Sequence, residues 1–220
     1  MISKVDNPHN ILTLIMPTNE PNTFFTHMGA TLEYMEDVAP IATIACNFQT
    51  PWTAEQVDRA VSLMKMHGFA VKYQLRDKYF VESRGKVPFN RIRHDTAMLN
   101  PKSMFYALVD DDFRFRGPTD KVPKTAGQQY IDAVDYLSSH PKCGLVLMGG
   151  VMFKAVPRNH IGPVNINTCF ITGHGFVFRN MYPDFYVYPD DALDLVGAGE
   201  EKLVAASRMG CGLYPAKFGC

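Results

Sequence analysis

The chain has 220 residues, 46% hydrophobic and 20% charged, which suits one soluble globular domain with a well-buried core. These proportions exclude a disordered tail, a collagen-like repeat and a small disulfide scaffold. Basic and acidic residues balance at 22 each, so no net field steers the protein toward polyanions, and only local patches remain to be considered.

The first apolar run, 11–16, is stopped by Pro17 and followed by the polar Thr18-Asn19-Glu20. This predicts a buried strand ending in a loop. A weakly periodic stretch over 22–37 predicts a helix, and 41–46 a second strand that ends at Asn47-Phe48-Gln49. Thr53 with Gln56 three residues on has capping-box spacing. Val57, Ala60, Val61 and Met64 then recur at helical intervals, and Gly68 fits the position just past the helix end. Residues 69–75 read as a third strand. Strands alternating with helices in this way imply parallel pairing with right-handed crossovers. Residues 105–109 form a further apolar strand, followed directly by Asp110-Asp111-Asp112. A helix over 126–138 puts Tyr130, Ile131, Val134 and Leu137 on one face, and 145–148 is another short apolar run. Beyond it come short β-like pieces around 168–172 and 175–179 and a last helix near 200–209. With no repeat and no low-complexity tract, one domain over 1–220 is expected.

Charge is uneven along the chain. Between 72 and 94 stand Lys72, Arg76, Lys78, Arg84, Lys86, Arg91 and Arg93 against Asp77 and Glu82. Between 184 and 201 stand Asp184, Asp190, Asp191, Asp194, Glu200 and Glu201, with no lysine or arginine. The five cysteines (Cys46, Cys143, Cys169, Cys211 and Cys220) are widely spaced and include no C-x-x-C pair. That argues for a reducing compartment and against a disulfide framework or zinc knuckle. Residues 1–9 hold no apolar segment of signal-peptide type. No uncharged stretch nears the ~20 apolar residues that span a bilayer. A cytoplasmic protein with no membrane insertion is expected.

Asp110-Asp111-Asp112 carries the strongest chemical signal. Ligands of open α/β sheets bind beyond the carboxyl ends of the strands, where this triplet falls. Adjacent carboxylates repel one another unless a cation balances them, and Mn²⁺ or Mg²⁺ takes one or two carboxylates together with phosphate oxygens. The plain alternative is a solvated acidic turn. His174 lies between Gly173 and Gly175, where small neighbours let backbone approach a ligand closely, as in an acceptor or sugar pocket. A strand-turn histidine without a ligand fits equally well. Glu200 and Glu201 open the last helix, where acids favour the helix dipole by about 0.3–1 kcal/mol without any catalytic role. Trp52 reads as a core anchor rather than a sugar platform, and Met64 and Met66 as packing.

The pattern as a whole resembles the GT-A glycosyltransferases, in particular the family-2-like enzymes, over most of the chain. The strand 11–16 with Pro17-Thr18-Asn19 is similar to the family's opening strand and its nucleotide-contacting P-T loop. Asn90-Arg91-Ile92-Arg93 is similar to its Asn/Arg-bearing helix, and 105–112 to its hydrophobic strand and DXD motif. Gly175-Phe176-Val177-Phe178-Arg179 matches its G-x-x-x-R strand. Glu200-Glu201-Lys202-Leu203 with Arg208 and Gly212 resembles its E-D-x-x-L…R…G helix. Asn47 stands where many relatives carry aspartate for the base, Glu201 replaces the usual aspartate, and no histidine follows Arg208.

The resemblance implies an α/β GT-A (Rossmann-like) domain with a mostly parallel central sheet flanked by helices. Residues 1–115 would form the nucleotide-sugar half and 116–220 the acceptor half. It implies transfer from a nucleotide-sugar donor, a UDP-sugar first among them, to an acceptor hydroxyl with inversion. Asp110 and Asp112 would hold Mn²⁺ or Mg²⁺, and Pro17, Thr18, Asn19, Asn47, Arg91, Arg93 and Asp111 would line the donor. Gly173, His174, Gly175 and Glu200 would line the acceptor or sugar pocket. Glu201 would take the acceptor proton, with Asp191 as the second candidate. Two other readings compete: a metal-dependent phosphotransferase or phosphohydrolase, and a nucleotide-sugar-binding module without turnover. The basic 72–94 stretch also admits a nucleic-acid acceptor, such as a modified base in DNA.

Overall fold

In a computed structural model of the chain, four early strands and three helices alternate in the predicted order. The structure describes residues 6–18, 20–77, 89–109, 111, 117–118, 123–141, 145–147, 176–180 and 214–215. The first strand, β1 (Leu12–Thr18), leads to helix α1 (Pro21–Glu33). A short 3₁₀ segment, Glu36–Ile41, then enters β2 (Ala42–Gln49). Helix α2 (Ala54–Met66), β3 (Ala70–Arg76), α3 (Phe89–Ala97) and β4 (Phe105–Leu108) follow. Helix α4 (Ala126–Ser139), β5 (Leu145–Leu147), β6 (Phe176–Arg179) and β7 (Tyr214–Pro215) complete the described elements.

These strands form one sheet in the order β3-β2-β1-β4-β6-β5-β7. β1 runs parallel to both of its neighbours, β2 and β4, and β2 runs parallel to β3. β6 is antiparallel to β4 and to β5, whereas β5 and β7 are parallel. The architecture is therefore α/β with a mostly parallel sheet, as expected.

Two boundaries differ from the sequence reading. β1 continues through Pro17 to Thr18, and β2 through Asn47 to Gln49, because the two strands stay in register, Pro17 opposite Asn47 and Thr18 opposite Phe48. A proline is tolerated there because it sits at the strand end, where a missing amide hydrogen costs little. The expected helix over 22–37 stops at Glu33 and tightens into the 3₁₀ segment that carries Pro40. The β-like piece around 168–172 and the helix near 200–209 lie outside the described residues.

Local signals explain the helices. Thr53 and Gln56 form the reciprocal capping box at the start of α2, and Gly68 takes a φ of 85° just past its end. Pro21 occupies the first turn of α1, where its absent N–H is no loss. Thr125 and Gln128 make a second capping box at α4. The Thr125 hydroxyl also donates to Asp37 Oδ2 at 2.5 Å, joining α4 to the 3₁₀ segment. Gly127 permits that junction: its N–H bonds Tyr34 O at 2.9 Å, and a Cβ there would meet Met35 O at 3.0 Å.

The sheet has an apolar and a polar face. Leu12, Leu14 and Met16 of β1 and Ile44, Cys46 and Phe48 of β2 turn toward α1, α2 and α4 and form the main core. Trp52, buried among Phe24, Phe25 and Phe48, anchors this side as expected. Met64 belongs to the same core, while Met66 is 77% exposed and packs on nothing comparable.

The opposite face meets α3 and is held by hydrogen bonds. Asn100, fully buried just past α3, donates from Nδ2 to Thr13 Oγ1 at 2.7 Å. Its Oδ1 accepts from Lys72 Nζ at 2.8 Å, and its carbonyl accepts from the Tyr106 hydroxyl at 2.9 Å. Burial pushes the Tyr106 phenol well above its usual range, so it stays a donor. One residue thus ties the α3 end to β1, β3 and β4. Asn100→Ala is expected to cost roughly 1–3 kcal/mol by leaving the Thr13 and Lys72 groups without it. Urea unfolding should show a lower midpoint at unchanged slope; a midpoint equal to the parent's would deny Asn100 this role.

Candidate functional site

Three parallel strands, β1, β2 and β4, end side by side, and Pro17, Thr18, Asn47 and Asp111 among the expected donor residues lie at or just past those ends. Pro17 and Thr18 close β1, Asn47 lies across from Pro17 on β2, and Asp111 follows β4 by way of Val109. The β1–β4 pairing runs past β4 itself, since Val109 N–H donates to Ile15 O at 3.0 Å. Thr18 is buried, and its hydroxyl donates to Asp111 Oδ2 at 2.5 Å. A short O–H···O contact is the geometry of a hydrogen bond to a charged carboxylate. The middle acid of the triplet is therefore fastened to the end of the central strand.

The Asp111 charge is felt inside the core. Burial, and next the Asp111 carboxylate, push the Cys46 thiol far above its usual range. Cys46 is a free, buried thiol whose Sγ lies 3.7 Å from Met64 Sδ, and it packs as a small apolar side chain.

The α3 face supplies polar groups at the same end of the sheet. Cys46 and Phe48 turn to the apolar core, so strand alternation puts Asn47 and Gln49 on the α3 side. Both are buried, and so is Arg93 on α3. Among the described residues, Gln49 Oε1 is a buried acceptor with no hydrogen-bond partner. Sequence reasoning did not single out Gln49. The available signal was a polar side chain in an otherwise apolar run, two residues beyond Asn47.

Several cations of the basic stretch are already engaged. Lys72 serves Asn100, and Arg76 pairs with Asp95 at 3.2 Å across an exposed surface. Arg91 lies within α3. Lys78, Arg84 and Lys86 lie outside the described residues, as do Asn19, Asp110, Asp112, Gly173, His174, Gly175, Asp191, Glu200, Glu201, Arg208 and Gly212.

The arginine of the G-x-x-x-R strand has a clear structural task. Arg179, on β6, donates from Nη2 to Leu137 O at 2.5 Å and reaches His140 O at 3.5 Å, while its guanidinium lies 5.3 Å from the Phe105 ring centre. A cation at the carboxyl end of α4 satisfies carbonyls that the helix leaves open and favours its dipole. The next residue, Asn180, donates to Pro101 O and Ser103 O, fixing the entry to β4.

No protein-family model matches the chain, and no curated protein matches it. Solved structures do. The S. aureus TarS 1–349 structure is 16% identical, with a TM-score of 0.55 over 88% of this chain and 54% of that one. The mannosyltransferase PcManGT from Pyrobaculum calidifontis, in complex with GDP-Man and Mn²⁺, is also 16% identical, with a TM-score of 0.59 over 96% of this chain and 57% of that one. TarS 1–349 in complex with UDP is 13% identical at a TM-score of 0.53. The chain thus has the GT-A fold of nucleotide-sugar glycosyltransferases and spans little more than half the length of these structures. No helix among the described residues is long and apolar enough to cross a membrane.

The part played by Arg179 is open to direct test. Arg179→Ala should cost about 1.5–3 kcal/mol by removing a charged donor from helix carbonyls. At ~2–4 °C per kcal/mol for a chain of this size, thermal unfolding should shift down by several degrees. An unshifted melting temperature would exclude the capping role.

Proposed function

We propose that the chain transfers a sugar from a nucleotide-sugar donor to an acceptor hydroxyl, by inverting displacement and with a divalent ion at the aspartate triplet. The observation that carries this reading is the convergence of the β1, β2 and β4 ends, with Asp111 held by Thr18, in a glycosyltransferase fold.

The donor nucleotide would lie over those ends, against Pro17, Thr18, Asn19, Asn47, Arg91, Arg93 and Asp111. The spare acceptor at Gln49 Oε1 supports a base nearby, since a nucleobase N–H is a chemical match for it. A UDP-sugar is the first donor to test and a GDP-sugar the second, because one solved neighbour is complexed with UDP and another with GDP-Man and Mn²⁺. Arginine side chains at 91 and 93 are suited to paired contacts with diphosphate oxygens.

The donor set fits a hard cation: consecutive carboxylate oxygens, one carboxylate already oriented by a buried hydroxyl. Mn²⁺ or Mg²⁺ held by Asp110 and Asp112 would offset the charge that develops on the departing diphosphate, worth several kcal/mol of barrier. Glu201 takes the proton of the acceptor hydroxyl, with Asp191 as the alternative. The acceptor oxygen bonds to the anomeric carbon as the bond from that carbon to the diphosphate breaks, and the nucleoside diphosphate leaves. Gly173, His174, Gly175 and Glu200 line the acceptor or sugar pocket in this account. The acceptor is a hydroxyl compound of unassigned class, and a nucleic acid is one candidate. The engagement of Lys72 and Arg76 leaves fewer cations of the described stretch for that role.

Incubation with Mn²⁺ and a panel of UDP- and GDP-sugars tests the proposal. Sugar transfer, or slow donor hydrolysis, is expected. Phosphate release from simple esters would favour a phosphohydrolase, and donor binding with no turnover a binding module. Asp112→Asn should abolish metal-dependent donor binding and leave the melting temperature without metal unchanged or slightly raised, because it relieves repulsion between adjacent acids. Calorimetry showing parent-like binding of Mn²⁺ with UDP or GDP by this variant would refute the metal assignment. Glu201→Gln should lower kcat by ~10²–10⁴-fold while donor affinity stays near the parent's. If Asp191→Asn stops turnover and Glu201→Gln does not, Asp191 is the base.

A further inference from the structure

Strand β3 stands at one end of the sheet order, and among the described residues no strand pairs with its outer side. One bond identifies the inner side: Thr50 N–H, just past β2, donates to Arg76 O at 3.2 Å. Backbone groups alternate in direction along a strand, so those of Ala70, Lys72, Gln74 and Arg76 turn toward β2. Those of Val71, Tyr73 and Leu75 turn outward. An edge of this kind is a template for pairing with a further strand.

The same three residues share a side-chain face. Val71, Tyr73 and Leu75 lie beside Ile44, Cys46 and Phe48 of β2, on the apolar side of the sheet. Val71 packs against the core, and the Tyr73 ring lies 6.1 Å from that of Phe48. Tyr73 and Leu75 nevertheless remain 45% and 44% exposed, and among the described residues Met66 is the other large hydrophobic so placed. The opposite face of β3 carries Lys72 and Arg76, which Asn100 and Asp95 hold toward α3.

We propose that β3 pairs with β3 of a second copy of this chain, antiparallel about a two-fold axis at Tyr73, so that two sheets join into one. Tyr73 is the midpoint of Ala70–Arg76, so the whole strand overlaps its copy. Tyr73 then exchanges backbone bonds with Tyr73 of the second copy, and Val71 does so with Leu75. The exposed apolar side chains cover one another, as an interface made from one patch on both partners requires. Charge selects this register. Lys72 stands opposite Gln74, and Arg76 opposite Ala70. In the neighbouring registers that still align the outward groups, Lys72 would face Lys72 or Arg76 of the second copy. Like charges directly opposed destabilise a strand pair. A formal net charge of zero adds no overall repulsion between copies.

Sedimentation velocity on the full chain between ~1 and ~100 μM reads this association. The parent should move toward twice the chain mass as concentration rises. Peptides covering 70–76 should exchange with deuterium more slowly at the higher concentration. Tyr73→Lys should weaken association at least ~10-fold by opposing like charges at the axis. Gln74→Lys should also weaken it, by facing Lys72, and Gln74→Glu should tighten it, both at an equal melting temperature. The two Gln74 variants decide the matter if Tyr73→Lys does not fold. A parent that is monomeric at ~100 μM, with exchange at 70–76 indifferent to concentration, overturns the inference. So does a dimer whose affinity neither Gln74 variant changes, because its contact would lie elsewhere or in another register.

Discussion

Two parallel neighbours on β1 constrain everything else in this molecule. A strand paired on both edges and covered on both faces has to be made of residues that tolerate full burial, and Leu12, Leu14, Ile15 and Met16 meet that demand. Parallel pairing also makes the strands finish at the same end. The end of β1, the end of β2 and Asp111 after β4 consequently share one edge of the sheet. Antiparallel neighbours would have alternated those ends and scattered the same residues.

The two faces of the sheet divide the work. The α1, α2 and α4 side is close-packed and apolar, with Trp52 among phenylalanines and Cys46 against Met64. The α3 side contains Asn100, Thr13, Asn47, Gln49 and Arg93 in buried positions, and Asn100 is paired there with both Thr13 and Lys72. A buried polar group without a partner is costly, so the Gln49 acceptor at the strand end is informative: it is an expense that a bound ligand can offset. The paired Asn100 and the spare Gln49 acceptor thus lie on the same face of the sheet.

The sequence displayed what depends on local chemistry. Apolar runs marked β1 to β4, Thr53 with Gln56 marked the start of α2, and Gly68 marked its end. The acids after β4 were conspicuous for the same reason. Strand ends were less legible, because β1 passes through Pro17 only by virtue of its pairing with β2, which no local window contains. Thr125-x-x-Gln128 carries a capping signal as plain as the one at Thr53, and the structure forms both boxes. Long-range partners were hidden altogether. Neither the bond from Thr18 to residue 111 nor that from Arg179 to Leu137 follows from spacing, since each arises from strand order. The role of Arg179 in closing α4 shows that a motif residue can serve the fold before it serves a substrate.

A nucleoside diphosphate bound where β1, β2 and β4 end, as proposed, would shield those strand ends from exchange with solvent. Hydrogen–deuterium exchange with and without UDP or GDP, in the presence of Mn²⁺, tests this most directly. Slower exchange is expected, confined to peptides covering 16–20, 46–52, 89–97 and 109–113, with the α1 and α4 helices unchanged. Protection at other places, with these peptides unaffected, would contradict it.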